Sequence, residues 1–525
     1  MGGQAELKGP DLTAGVDAAR LQPGDKLLGH AKWEPVLLAR AGDEFMAIGA
    51  TCTHYGGPLA DGVIDGDTVR CPWHHACFSL RSGEALRAPA LSPVACWKVE
   101  RRGTTVVVTD KVERDPLSPT YPTTTDRADH PREIVIIGAG AAGSAAAEML
   151  RRCGFDGRIS MVDDDAGSPY DRPNLSKDYL AGNAPEEWIP LRPDGFYAEH
   201  KIDVVRGRAR RIDTTARTVD VDSHGALTYD ALILATGAEP VHLLLPGSDL
   251  PHVRYLRTLD DSRALIAAAT DATRAVVIGA SFIGLEVAAS LRARNLDVHV
   301  VGPESIPLAR VVGDYLGGFI RSFHESHGVV FHLGRKPKHI ESGGVILDDG
   351  TTLAADLVVI GVGVRPRLEL AEQAGLATDK GVSVDEFLET SVPGIYAAGD
   401  IARWPDAYSG QRIRVEHWVV AQRQGQVSAR NVLGARERFD HAPFFWSAHY
   451  DVSINYVGHA EQWDSVKVDG DAEKHDVSVR LMRGGETAAL ATVFRDDESL
   501  VEELREEENG KERVGDEGSR EAGRR

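Results

Sequence analysis

The sequence predicts a multidomain chain in which an all-β unit precedes two α/β nucleotide-binding units and a small α+β unit. Three observations carry this. Strand-like runs such as TTVVVT, residues 104–109, alternate with Gly- and Pro-containing turns through residue 110. Two segments, REIVIIGAGAAGSAAAEML from Arg132 and RAVVIGASFIGLEVAASL from Arg274, read as buried strand, glycine turn and helix. They open stretches where strands alternate with helices, as parallel sheets require. Near residue 436 that alternation stops, and PFFWSAHYD leads into several short β-like runs.

A chain of 525 residues exceeds what one core supports. Its 42% hydrophobic and 26% charged residues fit a soluble globular protein. A formal charge of −20 argues against nucleic acid and anionic membrane surfaces as partners. Five cysteines are too few for a disulfide framework and fit a reducing compartment. The N-terminus, MGGQAELKGP, lacks an apolar signal region, so a cytoplasmic protein is expected. The apolar stretch Ala275–Leu291 is short for a bilayer and carries Glu286, which favours strand, turn and helix over a membrane span.

The all-β unit holds CTHYGGPLADGVIDGDTVRCPWHH, residues 52–75. Cys52-x-His54 and Cys71-x-x-His74 are separated by sixteen residues, and each half supplies one thiol and one imidazole. A structural zinc site pairs its cysteines in one knuckle and its histidines along a helix. The division seen here suits a two-iron cluster, with both thiolates on one iron and both imidazoles on the other, the Rieske arrangement. CPWHHACFSL resembles the Rieske signature, with His75 where glycine is commoner, and the Cys-x-x-His spacing makes His74 the ligand and His75 its neighbour. High-potential Rieske proteins resemble this motif but bridge the two loops with a disulfide. Gly57 and Trp73 hold those positions here, which points to a lower-potential, ferredoxin-like cluster. Cys77 and Cys96 read as buried thiols.

The first glycine turn is Gly138-x-Gly140-x-x-Gly143, whose glycines serve the turn, pyrophosphate approach and helix packing in that order. Of the acids that follow the next strand, Asp163, Asp164 and Asp165, Asp164 is expected on the ribose. The second turn is Gly279-x-Ser281-x-x-Gly284, with serine in place of the middle glycine. Gly302 holds its usual ribose-acid position, Glu304 is the nearest carboxylate, and the lack of an adjoining arginine cluster favours NADH over NADPH.

From about residue 132 to 500 the chain resembles the two-dinucleotide-domain flavoprotein reductases, including ferredoxin reductases of oxygenase systems and apoptosis-inducing factor. With its Rieske unit, the whole resembles the Rieske-containing apoptosis-inducing-factor-like oxidoreductases of the pyridine nucleotide-disulfide oxidoreductase family. The resemblance implies FAD, NAD(H) and a 2Fe–2S cluster as cofactors. SPYDRPNLSKDYL would place Arg172, Pro173 and Lys177 near the flavin, and YDALILATGAEP would place Thr236 and Gly237 there. SVPGIYAAGDIA would put Asp400 on the ribityl chain, EHWVVAQRQG would bring Trp418 to the rings, and GVGVRP would set Gly363 near the nicotinamide. By the same resemblance Lys177 and Glu286 form an ion pair beside the flavin's reactive edge.

The implied division is a Rieske domain over 1–110, a linker over 111–131, an FAD domain over 132–250 and 367–436, and an NAD(P)H domain over 251–366. A C-terminal reductase domain over 437–496 and a charged, disordered tail over 497–525 complete it. SPYDRPNLSK contains no cysteine, so disulfide-reductase and peroxidase chemistry drop away. The expected function is electron transfer from NAD(P)H through FAD to the fused cluster, and on to an oxygenase, a cytochrome P450 or another acceptor. The alternative is an apoptosis-inducing-factor-like NADH sensor with slow turnover.

Overall fold

The computed structural model describes residues 7–112, 131–222 and 224–522, with side chains to residue 510. Most of the expected linker lies outside them.

The N-terminal unit is all β, as expected. A six-stranded antiparallel sheet runs from Val16–Asp17 to Thr105–Val112, and a four-stranded sheet, Val63–Asp65 to Ala85–Arg87, is inserted between two of its paired strands. Strand Glu34–Ala41 serves both layers, because alternate side chains leave opposite faces. Val36 and Leu38 join the core around Trp97, while Leu37 and Ala39 join the core around Phe78.

Two five-stranded parallel sheets follow, centred on Glu133–Ile137 and Arg274–Ile278. Each central strand is a run of β-branched residues buried on both faces, as a sheet covered by helices requires. Ile395–Ala397 completes the first sheet after the chain has built the second, so the unit built on that sheet is discontinuous in sequence. A five-stranded antiparallel sheet, Phe444–His449 to Glu486–Val493, forms the last domain.

The expected disordered tail is instead a helix, Asp496–Ala522. Leu500 is fully buried on it, and the carboxylates of Glu503 and Glu507 lie one turn apart on an inward face. Arg70 and Arg87 of the N-terminal unit and Arg423 of helix Trp418–Val432 meet that face. Composition alone reads as a solvated run, whereas the partners of these acids lie 80 to 437 residues upstream.

Candidate functional site between two glycine turns

A cleft of about 1240 Å³ runs between the two parallel-sheet domains and reaches the C-terminal sheet. Both glycine turns open onto it. Gly138 has φ 103°, and a side chain there would strike the Ala235 carbonyl at 2.3 Å. A Cβ on Gly143 would lie 1.8 Å from the Gly138 carbonyl, so glycine lets the helix Ala141–Arg152 press onto the turn. Gly140 differs: only the Arg172 guanidinium lies near it, 3.6 Å from where a Cβ would stand. Its backbone is open to the cleft, as pyrophosphate approach requires.

Arg172 Nε is buried with no hydrogen-bond partner among the described residues. Arg257, also facing the cleft, is brought down to about 10 by burial and by the repulsion of Arg172 and Arg367, against the pull of Asp400. Crowded, under-neutralised cations beside an open helix N-terminus fit a diphosphate, so these residues suit FAD. Asp400 accepts from Arg257 at 2.9 Å and lies across from Gly237, while Thr236 donates to the Arg367 carbonyl at 3.2 Å. Asp163 pairs with Arg206, and Asp165 caps Ala166 and Tyr170. Asp164 remains on the cleft wall, half exposed, with Arg367 3.9 Å away.

At the second turn Ser281 caps its helix. Its Oγ donates to the Gly361 carbonyl at 2.7 Å and accepts from the Gly284 amide at 3.2 Å. Gly279 and Gly284 are sterically required as in the first turn. Ser281, Gly284 and Gly363 line the cleft, whereas Gly143 and Gly279 work from behind its wall. Glu304 is not among the lining residues either; its carboxylate folds back over Gly302. Trp418 lines the cleft at the start of its helix.

Lys177 and Glu286 meet as expected, Nζ to Oε2 at 2.8 Å, both with little exposure. Glu286 also accepts from Ser176 Oγ at 2.6 Å and, on its other oxygen, from Ser447 Oγ at 2.6 Å.

The Cys52 and Cys71 loops form the tip of the inserted sheet, which sits on this cleft. The two thiols are buried and hydrogen-bonded to each other, which raises Cys52 and lowers Cys71. Backbone amides of Trp73 and His74 also lower Cys71, and the His54 amide approaches Cys52 Sγ at 3.5 Å. His54 and His74 face each other, Nδ1 to Nδ1, at 3.3 Å. Burial lowers His54 to about 3 and His74 well below the usual range, which keeps both imidazoles neutral and able to ligate. Among the described residues no three such donors converge on one ion position. They fall instead into a thiol pair and an imidazole pair, which is the donor set of a Rieske cluster. A Cβ on Gly57 would stand 2.6 Å from Cys71 Sγ and 3.3 Å from the Trp73 ring, so the loops touch where the sequence places Gly57 and Trp73.

His75 turns away from its neighbour. It has φ 60°, stacks on Phe444 at 3.9 Å and sets Nδ1 3.0 Å from Glu503. Two contacts at the tip were not read from sequence. The Trp446 ring, in the cleft wall, lies 4.2 Å from the His74 ring. Tyr55, stacked on His54 at 3.9 Å, donates its hydroxyl to Asp171, the residue before Arg172. Burial raises Asp171 to about 6 despite that donor and Lys177. The aromatic run FFW was the available signal for Trp446; nothing local marked Tyr55 or Asp171.

Three family models match in the order of these domains: Rieske [2Fe-2S] domain over residues 16–98, pyridine nucleotide-disulphide oxidoreductase over 132–425, and reductase C-terminal over 444–503. The chain belongs to the pyridine nucleotide-disulphide oxidoreductase family. Human apoptosis-inducing factor 3 is 32% identical over 486 residues, covering 88% of this chain and 78% of that protein. Rhodocoxin reductase of Rhodococcus erythropolis is 38% identical over 69% of this chain and 86% of its own length. Among solved structures, the covalent putidaredoxin reductase–putidaredoxin complex matches with TM-score 0.70 and 34% identity, over 72% of this chain and 93% of that one. The ferredoxin reductase for the CYP199A2 system from Rhodopseudomonas palustris matches with TM-score 0.67 and 37% identity, over 69% and 91%. This member of the family is therefore an NAD(H)-dependent FAD oxidoreductase of the ferredoxin-reductase type with a 2Fe–2S Rieske domain. Among the described residues no helix is long and apolar enough to cross a membrane.

Proposed function

We propose that the chain is a reductase and its electron carrier in one molecule, passing electrons from NADH to the fused cluster and then to an external acceptor. The observation that carries this is the placement of the cluster tip: Trp446 touches His74 on one side and lines the flavin cleft on the other. FAD supplies the conversion of a two-electron hydride donor into single electrons, and the 2Fe–2S group supplies a one-electron acceptor.

The residues divide the remaining work. Gly138, Gly140, Arg172 and Asp164 bind the adenine dinucleotide portion of FAD, with Thr236, Gly237, Asp400 and Trp418 along the rest of it. Gly279, Ser281, Gly284 and Gly363 present the second turn to NADH; Glu304 is the nearest carboxylate for its ribose and acts only if it swings off Gly302. Lys177, held by Glu286, puts a cation at the cleft floor, where it favours the arrival of negative charge. Cys52, Cys71, His54 and His74 hold the cluster, and Gly57 opposite Trp73 leaves it without a bridging disulfide.

Anaerobic NADH titration followed by absorbance and low-temperature EPR tests this reading. Flavin bleaching with a rhombic reduced-cluster signal supports it. Bleaching with no cluster signal, and with zinc or no iron on metal analysis, overturns it. The near full-length match to apoptosis-inducing factor 3 favours a second reading, an NADH-responsive protein with slow turnover. Acceptor turnover slower by orders of magnitude than cluster reduction would select it.

A further inference from the structure

The Lys177–Glu286 pair is not the end of its hydrogen-bond chain. Ser447 Oγ, which donates to Glu286 Oε1, lies 3.2 Å from His449 Nε2, and His449 Nδ1 lies 3.1 Å from His324 Nε2. All three side chains are buried.

The donor directions follow from one constraint. Glu286 receives Ser176, Lys177 and Ser447, so its carboxylate accepts throughout. The Ser447 hydroxyl therefore points at Glu286 and can only accept from His449, which must carry its proton on Nε2. His449 Nδ1 is then an acceptor, which puts the proton of His324 on Nε2 as well. Every donor in the chain points toward Glu286, and the far end is a bare acceptor, His324 Nδ1.

That far end is buried with no partner among the described residues, as is Tyr450 Oη beside it. Exposed His327, the cap that ends the helix Ala309–Ser326 bearing His324, stacks on Tyr450 at 3.8 Å. The titratable groups around the chain are His327 and Tyr450 near His324, and Lys177 near His449. Burial holds both relay histidines below the usual range, His449 at about 3, so each is a neutral imidazole.

We propose that His324, His449 and Ser447 form a proton relay that loads Glu286 from the His327–Tyr450 surface when negative charge arrives at the cleft, and unloads it when that charge leaves. Resting on the function proposed above, the step balances as follows. A hydride brings one negative charge beside Lys177. One solvent proton enters at His324 Nδ1, each link hands its own proton inward, and Glu286 becomes neutral, leaving the net charge of the site unchanged. The imidazoles and hydroxyl now point outward, so the same route returns the proton once both electrons have gone. The overall reaction, NADH giving NAD⁺, two electrons and one proton, is unaltered by the loop. A buried carboxylate beside the flavin is thereby kept from opposing its reduction. His449 and His324 act through Glu286 and are positioning residues.

The experiment mixes the oxidised holoprotein anaerobically with NADH and follows flavin bleaching together with a pH-indicator dye. The chain with its native residues takes up a proton in step with bleaching. In H449Q, whose amide can still donate to Ser447 and accept from His324 but cannot relay a proton, uptake lags bleaching at least tenfold, and H324Q behaves alike. Uptake in step with bleaching in both variants, or no uptake in the native chain, overturns the relay. Failure of NADH to bleach the flavin at all would count against the function itself, so the two readings fail separately. Nitrogen-15 NMR of the oxidised, histidine-labelled holoprotein gives an independent readout. Nε2–H tautomers at both His324 and His449 are expected, and an Nδ1–H form at either one overturns the chain as drawn.

Discussion

Among the contacts that join the Rieske domain to the reductase, two are of opposite chemistry. The tip contact is aromatic and sparse: His74, His54 and Tyr55 around Trp446, and one hydroxyl on Asp171. The flank contact is ionic and dense: Arg70, Arg87 and Arg423 around Glu503 and Glu507, all in positions with little or no exposure except half-buried Arg87. A buried ion network contributes little net stability over an apolar one but is costly to break at one partner. It therefore fixes one docking geometry strongly. The tip, carrying less of the attachment, is then left to serve the electron passage proposed above. On the proposed function, attachment and conduction fall to different residues.

If so, the two contacts fail differently. The largest effect is expected at the flank: Glu503→Ala takes the carboxylate from Arg423 and His75, leaves Arg70 with Glu507, and costs about 3–5 kcal/mol, read as a lowered thermal midpoint and lost protection of the domain boundary from protease. At the tip, Trp446→Ala slows flavin-to-cluster transfer roughly tenfold, a barrier change of about 1.4 kcal/mol, measured by rapid mixing and freeze-quench EPR. A Glu503→Ala chain that stays docked, or a Trp446→Ala chain with full transfer rate, would break the contrast.

The pH dependence sharpens it. Asp171 is raised from 3.8 to about 6 in the folded chain, so the folded state binds its proton more tightly. Its contribution to stability is full below pH 3.8 and is lost as pH rises through about 6. In Asp171→Asn that decline is absent, and denaturant titrations at pH 4 and pH 7 show a smaller difference than in the native chain. The smallest change is Tyr55→Phe, which deletes one hydrogen bond worth about 1 kcal/mol and pushes Asp171 higher still. A cluster-reduction rate within twofold of native would assign Tyr55 to docking.

Sequence reading captured what is local. The Cys-x-His and Cys-x-x-His halves, the first glycine turn and the alternation of strand and helix each lie within a few residues, and the structure assembles them as read. Lys177 and Glu286 were paired by resemblance across 109 positions, and the geometry agrees. Ser281 shows the limit of a fingerprint: read as serine in a glycine's place, it is a helix cap that bonds across to Gly361. The tail failed for a related reason. Repeated glutamates look solvated until Arg70, Arg87 and Arg423 are brought to them, and no spacing in one segment announces charges from three others. His449 was invisible likewise, because its meaning depends on His324 and Glu286, which sit 125 and 163 positions away.

On the function proposed above, the clamped flank also sets the kinetic order of electron transfer. A reductase and a separate carrier meet by diffusion, so dilution slows their exchange. Here the carrier is already seated, and diluting the protein a thousandfold leaves the interval between flavin reduction and cluster reduction unchanged. On that reading, output would follow the copy number of a single chain, with no ratio between donor and carrier left to adjust.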